Sequence, residues 1–329
     1  MQRRTLGPFD VSAIGFGCMS LSHGYGPGPD EDSATRLLNQ ALDAGHTLLD
    51  TAALYGFGQN ESLLGEAVMH RRDEFVLTSK CGIFRNEAGK REINGRPEVL
   101  RKTCEDSLRR LNTDTIDLYY LHRWDKQVPI EESVGALGDL VRAGKVRALG
   151  LSEVSAKTLH RAHAEHPISA VQSEYSLWTR EPEIAVLQAC KDIGAAFVAF
   201  SPLARGFLTG QLTDPQQLAD SDLRRSMPRF SEQNYPANLA LLHEYQRIAR
   251  QTECSMAQLA LAWLLARSDH IIPIPGTSNA GHLIENSQSA EVVLSQESMD
   301  RLEELINQHR VRGARYNDAT LLEVDTETF

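Results

Sequence analysis

Short apolar runs rich in β-formers alternate with amphipathic stretches along nearly the whole chain, the pattern of parallel strand–helix–strand units. The runs fall at 13–17, 47–50, 75–79, 116–121, 146–151, 170–172, 196–200 and 271–274. Between them lie helical periods such as 32–44, where Leu37, Leu38, Ala41 and Leu42 share one face, and 98–111, where Leu100, Cys104, Leu108 and Leu111 do. Eight strands, each followed by helix, predict a closed (β/α)8 barrel rather than an open sheet. The segment 4–11 turns at Leu6-Gly7-Pro8 and is expected as a small hairpin at the barrel bottom. A long polar stretch after the seventh strand, 206–236, is broken by Pro215, Pro228 and Pro236, as expected of a functional excursion or flap. The polar tail 312–329 could cross the barrel mouth or be disordered.

With 329 residues, the chain is long enough for two ordinary domains, but α/β barrels use roughly 250 residues or more as one. No linker, low-complexity block or composition shift divides it, so a single domain, 1–329, is expected. At 41% hydrophobic with no apolar run near the ~18 residues of a membrane helix, it reads as soluble. The start MQRRTLGPFDVS has arginines but no apolar stretch after them, which predicts no secretory signal. The five cysteines are scattered and lack CxxC spacing, which predicts neither a disulfide framework nor a metal site and fits a reducing cytoplasm. A formal charge of −10 disfavours nucleic acid and anionic membranes as partners and leaves a small molecule. Oligomeric state is open.

Barrel enzymes carry their chemistry at the C-terminal ends of strands. Asp50 ends the second run, Lys80 follows the third, His122 follows the fourth, and Tyr55 stands in the loop five residues after Asp50. An acid, a lysine, a tyrosine and a histidine can protonate a carbonyl during its reduction without a metal. Tyr55, with an ordinary phenol pKa of about 10, needs a cation to stabilise its phenolate; Lys80 is that cation, and Asp50 is the carboxylate that keeps a buried lysine charged. A neutral His122 would hold the substrate oxygen in line. Each residue has a duller reading alone: Asp50 as a helix cap, Lys80 as a surface charge, Tyr55 as a loop aromatic, His122 as a structural histidine. Only their joint occurrence at strand ends argues for catalysis.

Around these four, the wording of the chain resembles the aldo-keto reductase family from about residue 4 to the C-terminus. The segments are GFGCM at 15–19, LLDTAALYG at 48–56, GLSEVS at 150–155, SPLARGFLTG at 201–210 and IPIPGTS at 272–278. HRWDKQVPIEE and QSEYSLWTR are most similar to the bacterial, yeast and plant branch of general aldehyde and ketone reductases, which is related to pyridoxal reductases and potassium-channel β-subunit-like members.

The resemblance implies NADPH, with NADH possible, and puts Asp50, Tyr55, Lys80 and His122 in the catalytic positions. It assigns Ser152 and Gln172, with Glu153 beside them as an acceptor, to the nicotinamide carboxamide, Asp50 to the cofactor as well as to catalysis, and Phe200 to the ring face. Ser201, Pro202, Leu203, Arg205 and Gly206 would wrap the pyrophosphate. Gly17, Cys18 and Met19 would flank the nicotinamide end, and Gly276, Thr277, Ser278, His282, Glu285 and Asn286 the adenosine end. Two departures stand out: Glu153 where relatives often have asparagine, and Ser278-Asn279 where NADPH-preferring members often have lysine or arginine. Tyr25 and Trp124, with Tyr55 and His122, are the expected substrate pocket, although Trp124 and Trp178 could equally pack the rim. Cys18 reads as a small apolar filler more than a redox group.

The run GFGCMS is close to a dinucleotide-binding GxGxxG, but no helix opens after it, so an open nucleotide-binding sheet is not expected. Rival functions are a cofactor-binding regulatory subunit with little turnover and a Schiff-base barrel enzyme using Lys80 as nucleophile.

Overall fold

The computed structural model describes residues 1–86 and 90–329. It opens with an antiparallel hairpin, β1 (Arg3–Leu6) and β2 (Phe9–Ser12), whose turn holds Gly7 at φ +55. Eight further strands form one sheet: β3 (Phe16–Gly17), β4 (Leu48–Asp50), β5 (Val76–Cys81), β8 (Ile116–Leu121), β9 (Val146–Ser152), β10 (Ile168–Glu174), β11 (Ala196–Phe200) and β12 (Ile271–Pro273). Between β5 and β8 lies a second small hairpin, β6 (Ile83–Arg85) and β7 (Arg91–Ile93). The sheet strands pair in chain order, every neighbouring pair parallel. Gly15 N donates to Pro273 O at 3.0 Å and Gly17 N to Pro275 O at 3.1 Å, so the first and last strands meet and the sheet closes. Sequential order without a reversal is the opposite of a doubly wound nucleotide-binding sheet. The expected (β/α)8 barrel is the observed fold.

Helices α1 (Glu31–Asp43), α2 (Gln59–Ala67), α3 (Pro97–Arg110), α4 (Ile130–Arg142), α5 (Ala156–Glu165), α6 (Val186–Asp192), α7 (Tyr235–Gln251), α8 (Met256–Arg267), α9 (Ala280–Gln288), α10 (Gln296–Leu305) and α11 (Asp318–Leu321) surround it. Their ends follow local chemistry. Asp30 caps α1 by accepting from Ser33 N, Pro97 opens α3, and Ser255 with Gln258 forms a capping box on α8. Leu37, Leu38, Ala41 and Leu42 are buried on α1, the face their spacing predicts. No helix among the described residues is long and apolar enough to cross a membrane.

Two apolar cores result. The larger lies between helices and sheet; the smaller fills the barrel with Leu48, Leu118, Tyr120, Ala148, Ala170, Val198 and Ile272. Leu6 and Val11 of the first hairpin join this inner core, so the hairpin plugs the barrel bottom. Arg4 locks the plug by donating to Leu265 O at 2.6 Å and Ser268 O at 2.7 Å. Inside, a Cβ on Gly150 would stand 2.4 Å from the Tyr120 ring, so the glycine makes room for that aromatic.

The strand ends differ from the sequence reading in one way that matters. Strand β5 runs two residues past Ser79, so Lys80 lies within the ladder, paired with Tyr120, rather than beyond it. The 206–236 stretch folds back as short single turns, and Leu223 N bonds Gly24 O across the mouth. The tail is ordered: Val154 and Asp325 form a parallel bridge, and Ser155 N and Oγ both donate to Asp325.

Candidate active site

The C-terminal strand ends open into a cleft of about 740 Å³, within the range of small-molecule sites. At its floor the register does the positioning. Asp50 pairs with Thr78 across β4 and β5, and Lys80, two residues on, shares the face of Thr78. Lys80 Nζ then lies 2.5 Å from Asp50 Oδ1, 2.8 Å from Thr51 O and 3.1 Å from Tyr55 Oη. Asp50 Oδ2 accepts from Thr78 Oγ1 at 2.7 Å and from Gln172 Nε2 at 2.8 Å. Every polar atom of this buried ion pair therefore has a partner, which is the condition for burying charge. Tyr55 reaches the pair because the chain after it turns left-handed through Gly56, Phe57 and Gly58, at φ 57°, 50° and 100°.

The electrostatics agree with the sequence reading at two groups and differ at one. Burial pulls Lys80 down, but the charge of Asp50 and its bonds to Asp50 and Tyr55 hold it above the ordinary lysine range, so it stays a cation. Burial, followed by Arg123, Lys80, Arg91 and His23, pushes His122 far below the usual histidine range, so its imidazole is neutral. Its Nδ1 is buried with no partner among the described residues, and its ring meets Tyr55 edge-on at 6.0 Å. Tyr55 differs. Burial raises its phenol above the ordinary value, and the opposing pull of Lys80 does not reverse that.

From this floor the cleft runs past Gly17, Met19 and Tyr25, then Ser152, Gln172 and Phe200, then Ser201, Pro202, Leu203, Arg205 and Gly206. It ends at Gly276, Thr277, Ser278, His282, Glu285 and Asn286, the last three on α9. Four expected site residues do not line it: Lys80 lies buried beneath Asp50 and Tyr55, and three others are turned away. Cys18 is fully buried, its Sγ 3.7 Å from Phe16 O and its thiol pushed up by burial: it is a filler in the outer core. Glu153 sits at φ 56° and turns outward, taking an end-on, two-pronged Arg315 at 3.0 and 2.6 Å and accepting from Glu174 N at 3.0 Å. Burial alone would raise its carboxyl, but Arg315 and Arg123 bring it below the usual range. Trp124 packs outward, with Nε1 bonded to Val128 O at 2.9 Å and Arg161 over its ring. Trp178 also packs the rim, stacked on Phe207 at 4.0 Å.

The cleft contains residues the sequence reading missed. His23 stacks on Tyr55 at 6.1 Å. Arg123, next to His122, could have been read from the sequence. Arg91 from β7 and Tyr316, Asn317 and Thr320 from the tail arrive only through tertiary folding.

The donor set fits a nicotinamide dinucleotide. Ser201, Ala204, Arg205 and Gly206 have φ of 48°, 50°, 57° and 89°, a left-handed winding in which Ala204 N and Gly206 N already donate to Ser201 O and Leu203 O. Ser152 and Gln172 offer an amide partner, and Phe200 stands half-exposed at a strand end as a stacking face. Arg205 is less free than expected, since Glu174 at 2.5 Å and Tyr316 at 3.1 Å share its guanidinium.

Comparison with known proteins agrees with this architecture. The family model described as Aldo/keto reductase family matches residues 13–307. The NADP(+) aldo-keto reductase yakc of Schizosaccharomyces pombe is 43% identical over 319 residues, covering 95% of this chain and 94% of that protein. Among solved structures, the glycerol dehydrogenase of Gluconobacter oxydans superposes with a TM-score of 0.85 at 29% identity, covering 95% of this chain and 96% of that one. An aldo/keto reductase from Klebsiella pneumoniae, solved with NADP and acetate, has a TM-score of 0.72 at 27% identity, covering 96% and 99%. A model spanning most of the chain, and a relative this similar over nearly its full length, mean that this protein belongs to the Aldo/keto reductase family.

Proposed function

We propose that this protein reduces an aldehyde or ketone to an alcohol, with NADPH as hydride source and Tyr55 as proton donor. The observation that carries the reading is Lys80 Nζ held between Asp50 Oδ1 and Tyr55 Oη at the floor of the cleft. A raised phenol pKa keeps Tyr55 protonated at neutral pH, so it is a loaded donor. Its proton passes to the carbonyl oxygen as that oxygen gains alkoxide character, a far stronger base than a phenolate. Lys80 stabilises the tyrosinate left behind, and Asp50 keeps Lys80 charged. His122, neutral and beside Tyr55, orients the carbonyl oxygen. A reduced nicotinamide, when bound along Ser152, Gln172 and Phe200, supplies the hydride to the carbonyl carbon.

The choice of NADPH rests on the NADP-linked names of the relatives, with Ser278 and His282 available to bond a 2′-phosphate. A cytoplasmic setting is supported by five free cysteines, four of them buried. The test is loss of NADPH absorbance, with NADH in parallel, on a panel of aldehydes and ketones for the wild type and Tyr55→Phe. Turnover by the wild type, lost in the variant while cofactor still binds, is expected. Tight cofactor binding with no carbonyl reduced by the wild type would overturn the reading in favour of a cofactor-sensing regulatory subunit.

A further inference from the structure

The catalytic end of the cleft holds a buried guanidinium without a counter-ion. Arg123 lines the cleft, is 9% exposed, and makes no ion pair among the described residues. Three buried cations nearby have carboxylates: Lys80 has Asp50, Arg205 has Glu174 and Arg315 has Glu153, whereas Arg229 beneath Trp178 is held, like Arg123, by neutral acceptors. Arg123 Nη1 donates to two neutral acceptors, His122 O at 2.7 Å and Ser152 Oγ at 3.3 Å. Among the described residues its Nε, shut from water, has no partner and its Nη2 makes no hydrogen bond. Nε and Nη2 together form the side edge of a guanidinium, the edge that takes a carboxylate through two parallel bonds. Glu153, a carboxylate whose charge does reach Arg123, is already committed end-on to Arg315.

A buried charge left this way is costly unless something completes it. Its surroundings point to a ligand rather than a protein partner. Arg91 and His23 line the same end of the cleft, and Arg91 stands exposed at the mouth, where it also holds Glu323. The chain as a whole carries −10, so the two guanidinium groups of Arg123 and Arg91 run locally against the overall field, while His23, lowered by burial and by Arg91, adds no charge.

We propose that Arg123 binds a carboxylate carried by the carbonyl substrate, which makes short oxo-acids, aldehydes bearing a carboxyl group, the preferred substrate class. This rests on the reductase reading above. Because Arg123 adjoins His122 in the chain, the carboxylate and the reacting carbonyl are close together in such a substrate.

The test compares kcat/KM for matched pairs, 2-carboxybenzaldehyde against 2-methylbenzaldehyde and succinic semialdehyde against butanal, in the wild type, Arg123→Met and Arg123→Lys. The wild type is expected to prefer the charged member of each pair. That preference is expected to fall about tenfold to hundredfold in Arg123→Met, the range for a lost bond to a charged group, and by less in Arg123→Lys. A wild type that treats both members alike overturns the proposal without any variant, so misfolding of Arg123→Met cannot shelter it. An unchanged ratio with weakened NADP+ binding in Arg123→Met also overturns it, since the guanidinium would then serve the cofactor. Calorimetric titration of benzoate into the NADP+-loaded protein separates the two readings. If no aldehyde is reduced but benzoate binds the wild type and not Arg123→Met, the anion site stands and the reductase reading falls.

Discussion

Glu153 and Arg315 are 162 residues apart in the chain, yet Arg315 Nη1 and Nη2 meet the two oxygens of Glu153 at 3.0 and 2.6 Å, both side chains buried. Arg315 also approaches Glu174, which holds Arg205 of the cleft wall. The tail residues Tyr316, Asn317 and Thr320 line the cleft beside this cluster. The pair therefore fastens the C-terminal tail over the barrel mouth. Arg315→Met strands a buried carboxylate and is expected to cost about 3–5 kcal/mol in urea unfolding. Adding Glu153→Gln to it should restore most of that stability, since the double variant leaves no unpaired charge. A double variant as unstable as Arg315→Met would show that the cost is the loss of the pair itself and not the stranded carboxylate.

Removing Lys80 should separate structure from chemistry. Lys80→Met leaves Asp50 buried without its cation, so both stability and turnover should fall, the latter by a factor of about 10² or more. The further change Asp50→Asn should return stability and leave turnover low. Thermal unfolding and NADPH oxidation on the same three proteins read both effects.

His46 predicts an acid sensitivity away from the cleft. It is 1% exposed, with Nδ1 3.0 Å from Ile14 O and Nε2 2.8 Å from Ser287 Oγ, and burial lowers it to about 4. Its folded value lies below the unfolded one, about 6.5, so the unfolded chain binds the extra proton first. The stability it contributes is present above about pH 6.5 and is lost as pH falls toward 4, about 3 kcal/mol across that window. His46→Gln should flatten the urea midpoint over the same range. A variant whose midpoint falls with acid as steeply as the wild type's would reject this assignment.

Much of this was legible in the chain because it is local or periodic. The eight β-rich runs gave the barrel, and Asp50, Lys80 and His122 could be read as strand-end residues because the strands themselves were. The β6–β7 hairpin was not legible: its sequence is polar and short, and its role depends on Arg91 reaching Glu323 in the tail. Glu153 was misassigned to the cofactor because its neighbour Ser152 does face the cleft, and only Arg315 decides which way the next side chain turns. Trp124 illustrates the same limit, since the chain gives its position on the rim but not that Val128 O and Arg161 hold it outward. The raised phenol of Tyr55 was missed because sequence names its charged neighbours and not its burial, and burial is the larger effect.

Ser278 offers a test of how the adenosine end reads its ligand. It is exposed at the start of the last cofactor-facing loop, and the neighbouring cleft residues Thr277, His282, Glu285 and Asn286 include no lysine or arginine. A 2′-phosphate there would be met by hydroxyl, backbone and imidazole groups, while Glu285 presents a like charge. Ser278→Arg adds a forked cation that can take two phosphate oxygens, a kind of contact worth about 1.5–3 kcal/mol. The ratio of NADPH to NADH affinity should therefore rise by a factor of about 10 or more, with NADH binding little changed because it lacks the phosphate. An equal gain for both cofactors would mean that the introduced guanidinium is reaching the shared pyrophosphate, and an unchanged ratio would place the 2′-position away from this loop.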